Sequence, residues 1–164
     1  MAPHLFINLP VSDLDRSVSF YTSIGFTCHP FYTSPTTRAV FYTLNPSIVI
    51  MLLTVSHLKL FLPESHAPVS QFPSESKRHQ LLNSIGASTR EEVDEIFAKA
   101  VVNGGEGFPI STHVGEVCGG MVYGRCFADP DGHLWDMTWV APEMVKMSDD
   151  ALEKQTKEQG EKKE

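Results

Sequence analysis

The side chains able to do acid–base, nucleophilic or metal chemistry are thinly spread along this chain. It has seven histidines (His4, His29, His57, His66, His79, His113 and His133) and three cysteines (Cys28, Cys118 and Cys126). The cysteines form an odd set without a C-x-x-C pair, which supports neither a disulfide framework nor a four-cysteine zinc site. No G-x-S-x-G is present, so an elbow nucleophile has no support. The glycine-rich run from Val101 to Gly107 closes a helix instead of opening one, so it is not a phosphate loop. Cys126 stands beside Arg125 in an extended segment. Adjacent strand residues point to opposite faces, and the thiol therefore reads as buried and inert. Asp136 is the most informative group, because a carboxylate set among apolar side chains is either raised in pKa or paired with a cation or ligand, and in its neutral form it can act as a general acid or base.

Two groupings deserve comparison with bland alternatives. His4 and Asn8 share one face of an extended segment with Phe6 between them. Together with Asp136 and His113 or Glu116 they would make a metal site, whereas alone His4 is a strand-end residue near solvent. His57 and His66 lie in polar loop sequence, and His133 follows a turn glycine, where hairpin geometry accounts for it.

These residues are positioned by elements that repeat. His4–Val11 is extended, with Pro10 suited to a strand end. Ser12 and Asp13 offer N-caps, Leu14, Val18, Tyr21 and Ile24 follow at helical spacing, and Gly25 ends the helix. Extended stretches at 27–33, 38–44 and 48–54 come next, separated by Ser34-Pro35 and Asn45-Pro46-Ser47. Residues 56–79 break the rhythm with a short helical segment and then Pro63, Pro68 and Pro73 among serines. The order then recurs: extended 80–87, a helix opened by the capping boxes Ser88/Glu91 and Thr89/Glu92 and closed by Asn103-Gly104-Gly105, then extended 107–112, 119–128 and 133–140. Asp129-Pro130-Asp131-Gly132 is a tight turn between the last two. After Pro142 the chain is charged and polar, which predicts a disordered, at most part-helical tail over 143–164.

With those elements in view, the chain resembles the vicinal-oxygen-chelate superfamily of glyoxalases, bleomycin-resistance proteins and extradiol dioxygenases. The resemblance rests on Leu9–Tyr21 with Gly25-Phe26, on Ser88–Asp94 with Gly104-Gly105, and on Phe127–Asp136, and it covers residues 4–142. It implies an α+β fold of two βαβββ modules, about 4–55 and 80–142 joined by a linker over 56–79, whose curved sheets form a cup-shaped site. It also implies a homodimer that pairs modules between chains, with pairing inside one chain as the alternative geometry.

Metal-dependent members hold a divalent ion with four side chains, and the ion acts as a Lewis acid. The corresponding positions here carry Phe6, Met51, Leu82 and Asp136. One carboxylate among Phe, Met and Leu is not a divalent-ion site, because at least three protein ligands are needed. A one-residue slip does not help, since Leu5, Ile7, Ile50, Leu52 and Leu81 are apolar and only Asn83 is polar. We therefore expect no metal and no cofactor. The resemblance makes Phe6, Asn8, Met51, Leu82, Tyr123, Asp136 and Thr138 the ligand-binding residues, with Asp136 as the catalytic candidate and Tyr42, Trp135 and Trp139 close by.

Composition narrows the partners. Thirteen Lys and Arg against twenty Asp and Glu give a net charge of −7, which argues against a nucleic acid or an anionic membrane surface. The longest apolar run, Ile48–Leu53, is far short of a membrane span, and the first residues carry no basic segment ahead of an apolar one. The expected protein is a cytoplasmic single domain that binds a small organic molecule in an apolar cup without the usual metal. The alternatives are a metal-independent lyase or isomerase using Asp136, and a metal-dependent lyase or dioxygenase with ligands relocated to His4, His113 or Glu116.

Overall fold

A computed structural model of the chain describes residues 4–63, 81–108 and 119–161. The first sheet is built from β1 (Leu5–Val11), β2 (Phe26–Cys28), β3 (Thr37–Tyr42) and β4 (Asn45–Thr54), with helix α1 (Leu14–Ser23) between β1 and β2. A short helix α2 (Val55–Leu58) and a 3-10 turn over Lys59–Phe61 follow. The second sheet is built from β5 (Leu82–Ala87), β6 (Glu106–Gly107), β7 (Val122–Ala128) and β8 (Leu134–Val140), with helix α3 (Arg90–Val102) after β5. Strand orders are β1-β4-β3-β2 and β5-β8-β7-β6, each with one parallel pair, β1/β4 and β5/β8. Two βαβββ units of the same topology thus follow each other, as the repeat in the sequence predicts. No helix among the described residues is long and apolar enough to cross a membrane.

Local chemistry accounts for the helix ends. Asp13 is the N-cap of α1, its carboxylate accepting from the amides of Asp15 and Arg16, each at 3.0 Å. Thr89 caps α3 through the Glu92 amide at 3.1 Å, while the Glu92 carboxylate reaches back to the Ser88 amide at 2.6 Å. Of the two candidate boxes, Thr89/Glu92 is the one that forms. Gly25 and Gly104 take φ of 105° and 97°, the left-handed conformation that ends each helix.

Several boundaries differ from expectation. The segment read as strand over 27–33 pairs only as far as Cys28, and 29–36 leaves the sheet as a loop. Asn45-Pro46-Ser47, read as a turn, lies inside β4. There the register jumps from Tyr42↔Asn45 to Phe41↔Val49, so Pro46 sits in an irregular stretch ahead of the β1 pairing, where its missing N–H removes no ladder bond. The segment expected to be a disordered tail runs as helix α4 (Pro142–Glu161), with Glu153 and Lys157 paired at 3.6 Å one turn apart. The strand expected over 107–112 is seen only at Glu106–Gly107, and most of its remainder lies outside the described residues.

One core serves both units. Leu9, Val11, Val40, Ile50 and Leu52 of the first sheet join Ile85, Phe127, Trp135 and Met137 of the second, together with the buried stripes of α1 and α3. Phe20 of α1 packs against Phe127, and Tyr21 lies 5.7 Å from Trp135. Phe26, on the strand farthest from β1, lies 6.2 Å from Trp135, and the Tyr42 hydroxyl donates to the Gly86 carbonyl at 3.5 Å. The helix-facing sides of the two sheets therefore converge on each other. Their other sides turn outward.

Polar bonds lock this arrangement at the turn before β8. Asp131, 4% exposed, accepts from the Ser12 amide and hydroxyl, from the Ser17 hydroxyl and from Arg16 at 2.8 Å. Asp129, also 4% exposed, accepts from the Tyr21 hydroxyl at 2.7 Å, from the amides of Asp131 and His133, and pairs with His133 Nδ1 at 2.8 Å. Trp135 Nε1 donates to the Tyr21 oxygen at 3.1 Å.

Candidate functional site

Strand alternation decides which candidates share a surface. In the first sheet, Ile7, Leu9 and Val11 face the core, so Phe6 and Asn8 face outward. Asn8 is in register with Met51, which pairs in turn with Ala39, and Phe6 is in register with Val49, which pairs with Phe41. Phe6, Asn8 and Met51 thus stand together on the outer face. The loop after β2 folds over it. The Tyr32 ring lies 4.7 Å from His29 and 6.1 Å from Phe6, His29 lies 5.8 Å from Phe41, and Phe31 lies 5.3 Å from Tyr32. Val49, between Phe6 and Phe41 in register, is 1% exposed on this face.

On the second sheet the same alternation turns Trp135, Met137 and Trp139 toward the helices and Leu134, Asp136 and Thr138 outward. Asp136 is in register with Ser84 on β5 and Cys126 on β7. All three neighbours donate to it: Ser84 Oγ at 3.3 Å, Cys126 Sγ at 3.5 Å and Thr138 Oγ1 at closer range. Leu82, in register with Leu134, completes the outer row at the exposed edge.

Tyr123 requires correction. It is in register with Trp139 and belongs to the helix side, where its hydroxyl donates to Asp94 at 2.8 Å. Arg90 stacks over both rings, 5.6 Å from Tyr123 and 4.7 Å from Trp139. The aromatics expected near the cavity, Tyr42, Trp135 and Trp139, likewise pack on the core side. The signal was available in the sequence, since Tyr123 and Cys126 are three apart and a strand cannot turn both to one face.

The outward sides of the two sheets point away from a shared core, so Phe6, Asn8 and Met51 do not meet Leu82, Asp136 and Thr138 within one chain. His4, stacked on Phe6 at 6.1 Å, is likewise on the first sheet and remote from Asp136. His66, His79, His113, Glu116 and Cys118 lie outside the described residues. Among the described residues no group of three His, Cys, Asp or Glu is placed to hold a metal ion. The four positions that hold metal in the family do not fit one either: Phe and Leu offer no donor atom, and a thioether with a single carboxylate falls short of three suitable ligands.

Burial, followed by the charge of Asp136 and its hydrogen bond, raises the Cys126 thiol to about 11. At neutral pH it is protonated and a poor nucleophile. Removing the neighbouring charge with Asp136→Asn leaves the burial and should increase alkylation of Cys126 by about tenfold at pH 8. Peptide-resolved iodoacetamide labelling, with exposed Cys28 as the internal standard, measures this, and an unchanged Cys126 rate would refute the coupling. Tyr21 is also raised, by burial first and then by Asp129. Both groups bind their protons more tightly in the folded state, so stability should fall as pH climbs through their unfolded values.

Comparison with known proteins gives a consistent answer. Residues 3–137 match the family described as the glyoxalase/bleomycin resistance protein/dioxygenase superfamily. A hypothetical protein from S. aureus, SA1046, is 25% identical, with a TM-score of 0.59 over 85% of this chain and 94% of that one. A glyoxalase/bleomycin resistance protein/dioxygenase family enzyme from Burkholderia phytofirmans is 18% identical, with a TM-score of 0.65 over 85% and 99%. The fosfomycin resistance protein FosX from Listeria monocytogenes is 19% identical, with a TM-score of 0.57 over 87% and 97%. The last two likenesses show the fold alone. No match is found among curated proteins.

Proposed function

The chain belongs to the glyoxalase/bleomycin resistance protein/dioxygenase superfamily, and from that premise we propose that it binds a small organic molecule around Asp136 without the usual metal, in a site completed by a second copy. The observation that carries this reading is the Asp136 cluster, a carboxylate held by Ser84, Thr138 and Cys126 on a sheet face turned away from the core. Three donors fix its orientation, as in small-molecule sites where a few placed polar groups stand in apolar surroundings. The second copy follows from the outward faces. Each chain offers Phe6, Asn8 and Met51 on one face and Leu82, Asp136 and Thr138 on another, and a two-fold pairing of unlike faces forms two equivalent cups. Among the described residues Cys28 and Cys126 are free thiols, which suits a cytoplasmic location.

Sedimentation equilibrium of untagged protein, with metal content by inductively coupled plasma mass spectrometry, tests the reading. A dimer with well under one ion per chain is expected. A monomer at micromolar concentration would remove the two-walled cup, and near-stoichiometric Zn, Ni or Fe would overturn the metal-free site.

A further inference from the structure

The Asp136 carboxylate has donors around it, and among the described residues no cation pairs with it. Among the described residues every ion pair lies elsewhere: Arg16 with Asp131, Arg38 with Asp15, Arg125 with Asp94, Lys99 with Glu95, Lys157 with Glu153 and His133 with Asp129. Its partners Ser84 and Thr138 donate to it through hydroxyls whose own lone pairs still accept. A carboxylate rimmed by acceptors is complementary to N–H groups that carry positive charge.

We infer that the bound molecule is an organic cation with a flat apolar body, its N–H groups on Asp136 and its body against the aromatic cover of the first sheet. The inference rests on the reading above, in which a second copy brings that cover over Asp136. Phe6, Tyr32 and Phe41 present ring faces and edges in one cluster around His29, and phenyl and phenol faces attract cations. Phe6 and Phe31 are 44% and 80% exposed, so this wall has apolar surface left to cover. On the Asp136 wall, Gly86 is in register with Thr138 and exposed, leaving bare strand beside the hydroxyl for a flat group to lie on. Both walls, one anionic and one of π-systems, select the same sign of charge.

Benzamidine, benzamide and benzoate share a shape and differ in charge, and the test is their titration into 15N-labelled full-length protein. Benzamidine should shift the amides of Ser84, Gly86, Asp136 and Thr138 together with those of Phe6 and Tyr32, binding about tenfold tighter than benzamide, with benzoate silent. Asp136→Asn should reduce benzamidine to the affinity of benzamide. Gly86→Val should keep or raise the melting temperature, because a Cβ there meets nothing nearer than the Thr138 carbonyl at 4.0 Å, yet weaken benzamidine by about tenfold by covering the bare strand. Equal binding of benzamidine and benzamide, or preference for benzoate, at these residues would overturn the cation and leave the small-molecule reading standing. Unchanged benzamidine binding in Gly86→Val would overturn the flat body. Shifts confined to the second sheet would overturn the two-walled site, and no shift at any of these residues with any probe would overturn both proposals.

Discussion

Asp129→Ala should destabilise the protein by about 3–5 kcal/mol, the range for removing one partner of a buried charged cluster. Asp129 is 4% exposed and satisfies the Tyr21 hydroxyl, two backbone amides and His133 Nδ1. The Tyr21 hydroxyl, on a side chain with no exposure, has no water to turn to when the carboxylate is gone. Loss of the Tyr21 contact also loosens the hydroxyl that receives Trp135 Nε1, so damage spreads from the turn into the shared core. Asp129→Asn keeps one acceptor oxygen and should cost less than alanine, and Tyr21→Phe less again, since only one hydroxyl is removed. Urea midpoints at pH 7 give the order directly. A change below about 1 kcal/mol for Asp129→Ala would show that the network contributes little.

Gly105→Ala is the second large effect, and it acts through sterics alone. Gly105 follows the end of α3 where that helix, β7 and α1 come together. A Cβ there would stand 2.7 Å from the Ala128 carbonyl oxygen, 2.9 Å from that of Ala100 and 3.1 Å from the Phe20 ring. Two of these three neighbours are backbone and cannot swing aside, so the helix end must move from the sheet. About 1–3 kcal/mol is the usual cost of overpacking, and backbone obstruction places this site at or above the upper end. Gly86→Val is the control, a glycine replaced where the space is free. If Gly105→Ala melts with the parent protein, the close approach is not what holds α3 in place.

The polar lock at the turn before β8 joins the two ends of the fold. Ser12, Arg16 and Ser17 stand in the first recognisable stretch, and Asp129, Asp131 and His133 in the last. In the structure Asp131 accepts from Ser12, Arg16 and Ser17 across more than a hundred residues of chain, while Asp129 accepts from Tyr21 and holds His133 beside it. The family resemblance is carried largely by a structural lock, which is why it speaks first to the fold. Tyr21, Asp129 and Trp135 form a buried network that no single segment reveals, because each looks locally like an ordinary helix, turn or strand residue.

Local residue patterns set the repeat and the helix ends. Helix caps, glycine C-termini and strand alternation are local rules, set by a few consecutive residues and by the geometry of the backbone. The family resemblance, not these rules, gathers Phe6, Asn8, Met51, Leu82, Asp136 and Thr138 into the lining of one cup, and the structure divides them between two faces. The same alternation, applied from Asp136 through its partner Cys126, would have moved Tyr123 to the helix side. The tertiary fold set the rest: the two helix-facing sides share a core through Phe26, Tyr21 and Trp135, so that one chain turns its two candidate faces outward. That choice depends on contacts between segments a hundred residues apart, whose energies come from packing shape and buried hydrogen bonds. Neither leaves a periodicity in the sequence.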